Sequence, residues 1–428
     1  MCACKRVYYS GTLPVCALLF LQQICHTAEG HVVNGHAPAD GLVMHASGGH
    51  VQVLQDAGNS LCKPPTLVPG TTDTFLVSCT SSSIPLSPGQ VGHGYYTLTN
   101  PFPSRAVAIV TRAAQLVDAD GRPVPISEIY VHHVVGNARI VSIAGSEMAG
   151  THEALPLPEP YYLAANGTFF NEAKWRKVEL HLIHLGGVPP ESLQPCLECW
   201  CNHKKMANFA GGTLCCTKDN CPTPRANEQP TPYFLQYNIT YRDPKHIENF
   251  KQAHVIFLDV VGHGGLHQYD VPLGAPGAEH VRSYTAPIDE HCPQEKPFAV
   301  LRCTGHQHVG ARCLELVDTE SGQLICSSCP VFDGSTGGDG RFHVRMTTTL
   351  VTPMYRLNPG QRVTINSRYD SSLERRGAMG HWYLTMTDWD PSCPKGPRSD
   401  SDYLVEMHNL WAIDSGPAGA AIADVETD

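Results

Sequence analysis

Two histidines separated by one residue, His306 and His308, and a methionine set between glycines, Met379 in Gly377-Ala378-Met379-Gly380, are the residues of this chain best suited to chemistry. Side chains alternate along a β-strand, so an His-X-His pair presents both imidazoles on one face. A thioether added to two imidazoles makes a soft donor set, which suits Cu(I). An upstream pair, His132-His133, offers a second cluster. Two histidine clusters, one with a methionine, point to redox copper chemistry. Each also has a plainer reading. An His-X-His beside a turn can simply face solvent, and methionine packs freely in cores. The flanking glycines speak against an ordinary core strand around Met379.

His132 and His133 pose a geometric problem. Neighbours in a regular strand point to opposite faces, so both can reach one metal only at a bulge or a strand end. The segment Val178–His184 offers a third imidazole, but His181 and His184 face opposite ways on a strand. The spacing leaves open which of them joins the pair. No Gly-X-Ser-X-Gly elbow, phosphate-binding loop or His-Glu-X-X-His is present, so hydrolase and kinase readings have no support, and no catalytic residue other than the metal candidates is assigned.

The elements that must hold these residues are strands. The chain has 428 residues, enough for two or three domains, with 38 Gly, 34 Pro and frequent Val and Thr, a composition of short strands joined by turns. From Tyr95 onward, strand-like runs recur: 95–99, 106–111, 113–118, 129–135, 178–185, 233–240 and 253–261, then 298–303, 311–317, 323–327, 343–351, 362–369 and 382–387. The expected fold is all-β, two antiparallel β-sandwich (jelly-roll-like) domains with a disulfide-rich insertion. The expected organisation is a signal peptide (1–29), a Gly/Pro/His-rich arm (30–92), a first sandwich (93–268) with a Cys-rich insertion (196–221), a second sandwich (269–395) and a polar tail (396–428). The Gly-rich stretch 262–277 reads as the linker.

Lys5 and Arg6, the short apolar run Leu13 to Gln22 and small residues near Ala28 have the pattern of a secretory signal, too short to span a membrane. The net charge of -10, without blocks of like charge, argues against nucleic acid and anionic membranes as partners. Removing Cys2, Cys4, Cys16 and Cys25 with the signal leaves an even number of cysteines, as expected of disulfides in an oxidising compartment. Connectivity cannot be read. Six of them crowd into 196–221, where Cys196-X-X-Cys199 also has zinc-ligand spacing, and disulfides are the preferred reading. Asn166 and Asn238 head glycosylation acceptor triplets. The expected location is therefore extracellular, through the secretory pathway.

DADGRPVPISEIYVHHVV (118–135), CLECWC with GGTLCC, GHQHVGARCLEL, SGQLICSSCPVF, NPGQRVTINSRYDSS and RGAMGHWYLTMT together resemble the stress up-regulated nodulin family of secreted plant proteins, from about residue 93 to 393. That family in turn resembles the copper type II, ascorbate-dependent monooxygenases of the peptidylglycine and dopamine β-monooxygenase kind. The resemblance implies two copper ions. One would be held by His132, His133 and His181, the other by His306, His308 and Met379, with ascorbate as reductant and hydroxylation of an unknown C–H substrate as the reaction. It implies a substrate-binding role for Tyr383. The arginine and asparagine that hold the substrate carboxylate in the peptide-acting enzymes are replaced by Thr304 and His381, which argues against a glycine-extended peptide. The alternative is a non-catalytic secreted copper-binding or structural stress-response sandwich.

Overall fold

In the computed structural model of the protein the residues described are 52–53, 61–97, 102, 106–136, 145–147, 156–166, 177–201, 211–212, 215–216, 220–224, 229–262, 267–336 and 339–391. The signal-like segment 1–29 and the tail 396–428 lie outside them. The described chain is all-β, and its strands of five or more residues are β1 (Thr74–Thr80), β2 (Val91–Thr97), β3 (Ala106–Val117), β4 (Ile129–Gly136), β5 (Tyr161–Asn166), β6 (Lys177–His184), β7 (Thr231–Arg242), β8 (Lys251–Asp259), β9 (Glu279–Pro287), β10 (Phe298–His306), β11 (Ala311–Asp318), β12 (Leu324–Ser328), β13 (Thr348–Leu357), β14 (Arg362–Asp370) and β15 (His381–Thr387). Among the described residues one short α-helix, α1 (Pro190–Leu197), begins with a proline at its first position, where the missing N–H costs nothing.

A long sheet runs β1-β7-β3-β5-β8-β15-β10-β13 and serves both halves of the molecule. Its middle joint is the parallel pairing of β8 with β5, Lys251 to Ala253 against Tyr161 to Leu163. The strand β8 falls within the segment assigned from sequence to the first sandwich, yet its other edge pairs with β15. The first half of the long sheet is covered by a sheet of order β2-β6-β4, and the second half by β9-β14-β11-β12. Val77, Leu116 and Tyr237 meet Val134, Val178 and Leu180 in one core. Leu258, Trp382 and Leu384 meet Leu314, Val363 and Ile365 in the other. The alternation that buries every second residue on these strands is what makes two face-to-face sheets the stable solution.

Part of the stretch read as an arm is built into the fold: β1 pairs with β7 through seven residues, from Thr74 opposite Arg242 to Thr80 opposite Gln236. Its Gly, Pro and Ser content comes from the turns around it. β9, within a polar stretch without clear alternation, also forms a strand, on the edge of its sheet.

Disulfides join Cys62–Cys79, Cys196–Cys221, Cys199–Cys216, Cys201–Cys215, Cys303–Cys326 and Cys313–Cys329. The six insert cysteines thus pair among themselves, nested one inside another, and the zinc reading of that cluster falls away. The insert is also tied to the second half of the molecule. Glu198 pairs with buried Arg375 at 2.9 Å, and Arg376 lies over the Trp200 ring at 4.2 Å. Gly377 explains its own identity here: its φ is +63°, and a Cβ would sit 2.2 Å from the Gly212 nitrogen. The two glycines of GGTLCC and Gly377 of RGAMG serve this close approach.

Candidate functional site: a buried histidine cluster

The outer face of the β2-β6-β4 sheet carries a row of three imidazoles. His181 on β6 is directly opposite His93 on β2 and directly opposite His133 on β4. Directly opposed residues project from the same face, and the ring centroids lie 4.9 Å (His93–His181) and 5.2 Å (His133–His181) apart. His132 joins them through a bulge. His181 pairs with His133 but the next residue, Leu182, pairs with Val131, so His132 is the extra residue on β4. Val131 and Val134 keep to the core side while both histidines turn outward, and His132 stacks on His181 with centroids 4.2 Å apart. The geometric problem posed by adjacent histidines is solved in the way strands allow.

The bulge has its own support. Ser146 and Glu147 donate their N–H groups to the carbonyls of Val131 (2.6 Å) and His132 (3.3 Å). Gly145 makes the approach possible, with φ at +124° and no room for a Cβ, which would fall 2.6 Å from His133 Cα.

The second set faces the first. His306 ends β10, and its ring lies 5.1 Å from His308, 6.0 Å from His133 and 5.3 Å from His381. His308 lies 5.8 Å from His132. The histidines named from the two sandwiches therefore form one continuous cluster. His381 is directly opposite His306, and Asp259 is directly opposite His381, which gives a second three-strand row across β10-β15-β8.

Two buried glutamates sort the rings. Glu147 Oε2 lies 2.7 Å from His132 Nδ1 and 3.4 Å from His308 Nε2, and the Glu147 carbonyl is 3.0 Å from His306 Nδ1. Glu179 Oε1 lies 2.6 Å from His93 Nε2 and 3.5 Å from His133 Nε2. Burial pushes His132, His181 and His306 well below the ordinary imidazole range and His308 down to about 4. Burial pushes Glu147 up to about 7, against the pull of His308 and His133. Burial would also raise Glu179, but hydrogen bonds from His133 and His93 outweigh it and hold that carboxyl below the usual range. His132, His181, His306 and His308 are thereby held neutral at neutral pH, the form in which imidazole binds a metal.

His184 takes no part. Its Nδ1 accepts from the Gly186 N–H at 3.1 Å and its Nε2 meets the Tyr233 hydroxyl at 3.2 Å, at the last residue of β6. Met379 is buried, and one hydroxyl ties it to the His-X-His segment: Tyr369 donates to the Met379 carbonyl at 2.8 Å and accepts from the His308 N–H at 2.7 Å. Tyr383 is buried, two residues beyond His381 and hence on the same face, edge-on to Phe257 at 5.4 Å. The Cys199–Cys216 disulfide caps the cluster, with Cys216 Sγ 3.1 Å from His181 Nε2. As a disulfide it lacks the thiolate that a metal takes.

Sequence reasoning missed His93, Glu147, Glu179, Asp259 and His267, and placed His381 only as a replacement. Gly92-His93-Gly94 was the nearest signal, a histidine between two glycines. Within each of four groups the donor atoms lie within 4.8 Å of one another: His132, His181 and Cys199; His93, His133 and Glu179; Glu147, His306 and His308; Asp259, His267 and His381.

Fold and site define an all-β, disulfide-stapled protein with a buried polyhistidine centre between two sandwiches. The chain belongs to the family described as Stress up-regulated Nod 19, which it matches over residues 72–153 and 142–389. No curated protein matches it. Among solved structures it is similar to the VP2 subviral particle of infectious bursal disease virus (11% identity, 78% of this chain and 77% of that one, TM-score 0.19) and to PNGF-II (9%, 77% and 65%, TM-score 0.23). Among the described residues no helix is long and apolar enough to cross a membrane.

Proposed function

We propose that this protein is an extracellular copper-binding protein of the secretory pathway, its metal held by the histidine cluster. The disulfides fit that location. The observation that carries the metal reading is the set of buried ring nitrogens that meet no hydrogen-bond partner: His132 Nε2, His181 Nδ1 and His308 Nδ1. A buried polar atom without a partner is costly. The other nitrogens of His132 and His308 face the Glu147 carboxylate, the arrangement in which a carboxylate orients a metal-binding imidazole, and His181 Nε2 lies against Cys216 Sγ. The donor chemistry fits copper: nitrogen donors suit either oxidation state, and a thioether favours Cu(I). His132, His133 and His181 would hold one ion, and His306, His308 and Met379 the other.

Copper, when bound, supplies one-electron redox chemistry. The chain's own residues do the rest. Glu147 Oε2, set 2.7 Å from His132 Nδ1 and 3.4 Å from His308 Nε2, fixes the tautomer of His132 and faces one ring of each ligand set. The insert and its Cys199–Cys216 disulfide shut water away from His181.

A second reading, copper-dependent hydroxylation of an unknown C–H substrate with dioxygen and ascorbate, is favoured by the presence of all six ligand types and by Tyr383 sharing the His381 face, with Thr304 directly opposite it. The experiment for both is copper per chain on the secreted protein by elemental analysis, followed by ascorbate-dependent oxygen consumption. Two coppers per chain are expected. No copper after loading would retire both readings. Bound copper without oxygen consumption above a free-copper control would retire the second and leave the first.

A further inference from the structure

His381 belongs to neither ligand set named from the sequence, yet it is only 2% exposed and sits directly across from His306 on the neighbouring strand. Trp382, Leu384 and Met386 turn the other face of β15 into the core, so His381 faces the cluster, its ring centroid 5.3 Å from that of His306. Its Nε2 lies 2.9 Å from the His267 carbonyl and 3.6 Å from Asp259 Oδ2. A carbonyl can only accept, so Nε2 carries the hydrogen and Nδ1, on the other edge of the ring, carries the lone pair. The orienting groups are themselves fixed: His267 Nδ1 meets Asp259 Oδ2 at 2.5 Å, and Asp259 Oδ1 accepts from the Val261 N–H at 2.9 Å. The Phe257 ring packs against His381 at 5.0 Å and limits its rotation.

We propose that His381 is a third imidazole ligand, through Nδ1, of the metal held by His306 and His308. The geometry matches the outer-shell arrangement of metal-bound histidines, one ring nitrogen donating to a carbonyl or carboxylate and the other given to the ion. The consequence is a nitrogen-rich site, able to hold Cu(II) as well as Cu(I), whatever the Met379 thioether adds. This rests on the copper reading above.

The test is copper titration of the full secreted chain, wild type against His381→Ala and His381→Gln, with spin resonance of the Cu(II) form and folding checked by circular dichroism. His381→Ala is expected to weaken one of the two coppers about tenfold or more, to lose nitrogen hyperfine structure from that ion, and to regain both on addition of free imidazole. His381→Gln keeps most of the volume and is expected to show the same loss, so a packing defect in the alanine variant does not decide the matter. The wild-type spectrum gives a further count, six imidazole nitrogens over two ions against five without His381. Copper bound by both variants with wild-type affinity and spectrum would overturn this inference alone. Absence of copper from the wild type would overturn the copper reading and this inference with it.

Discussion

Glu147 Oε2 lies 2.7 Å from His132 Nδ1 while the other nitrogen of that ring, Nε2, is buried without a partner. The carboxylate therefore decides which nitrogen of His132 is available, and its carbonyl does the same for His306 at 3.0 Å. One residue orients a ring from each histidine set. Glu147→Gln is expected to lower copper affinity by about 10- to 100-fold, at both ions, because the carboxylate also faces His308 Nε2 at 3.4 Å and the amide can present either an acceptor or a donor to each ring. Isothermal titration with copper would check this, and loss at only one ion would contradict the shared role.

His181 and His184 separate cleanly. His181→Ala should remove the centre of the His93–His181–His133 row and with it one copper per chain. His184→Ala should leave copper content unchanged, since that ring is bound to Tyr233 at 3.2 Å. Elemental analysis of the two purified variants reads the difference directly.

The Tyr369 hydroxyl is the only link described between the His308 N–H and the Met379 carbonyl. Tyr369→Phe keeps the ring and leaves both buried groups without that partner, at a cost of about 1–3 kcal/mol for each group left unsatisfied. Chemical denaturation should show a lower midpoint with an unchanged slope, and an unchanged midpoint would mean that water or another group replaces the hydroxyl.

Acid should destabilise the fold through His343. This ring is fully buried, and burial pushes its pKa down to about 3. Unfolded, it titrates near 6.5. Between those values the unfolded chain holds the extra proton, so stability falls as pH falls, by about 1.4 kcal/mol per pH unit from this one group. His343→Leu should flatten the stability profile between pH 6 and 4 by about that slope. Denaturation at several pH values checks it, and parallel profiles would show that His343 does not titrate as its burial implies.

What the sequence determined by itself is what alternation and composition can carry: an all-β chain, strands at 129–135, 178–185 and 298–303 within a residue or a few of their observed ends, disulfides in the insert, and an His-X-His at a strand end. The resemblance of its motifs also led to the family. Only the tertiary structure decided how the histidines meet. His93 touches Glu179 across 86 positions, and His306 meets Glu147 across 159. Such contacts follow from strand register, from one bulged residue at His132 and from two sandwiches packed outer face to outer face. A local pattern cannot show them, because a histidine that faces a partner strand and one that faces water have the same neighbours in sequence. Glu147 sits in no strand and follows no periodicity, so it became legible only when the bulge it supports brought His132 and His133 to the same side.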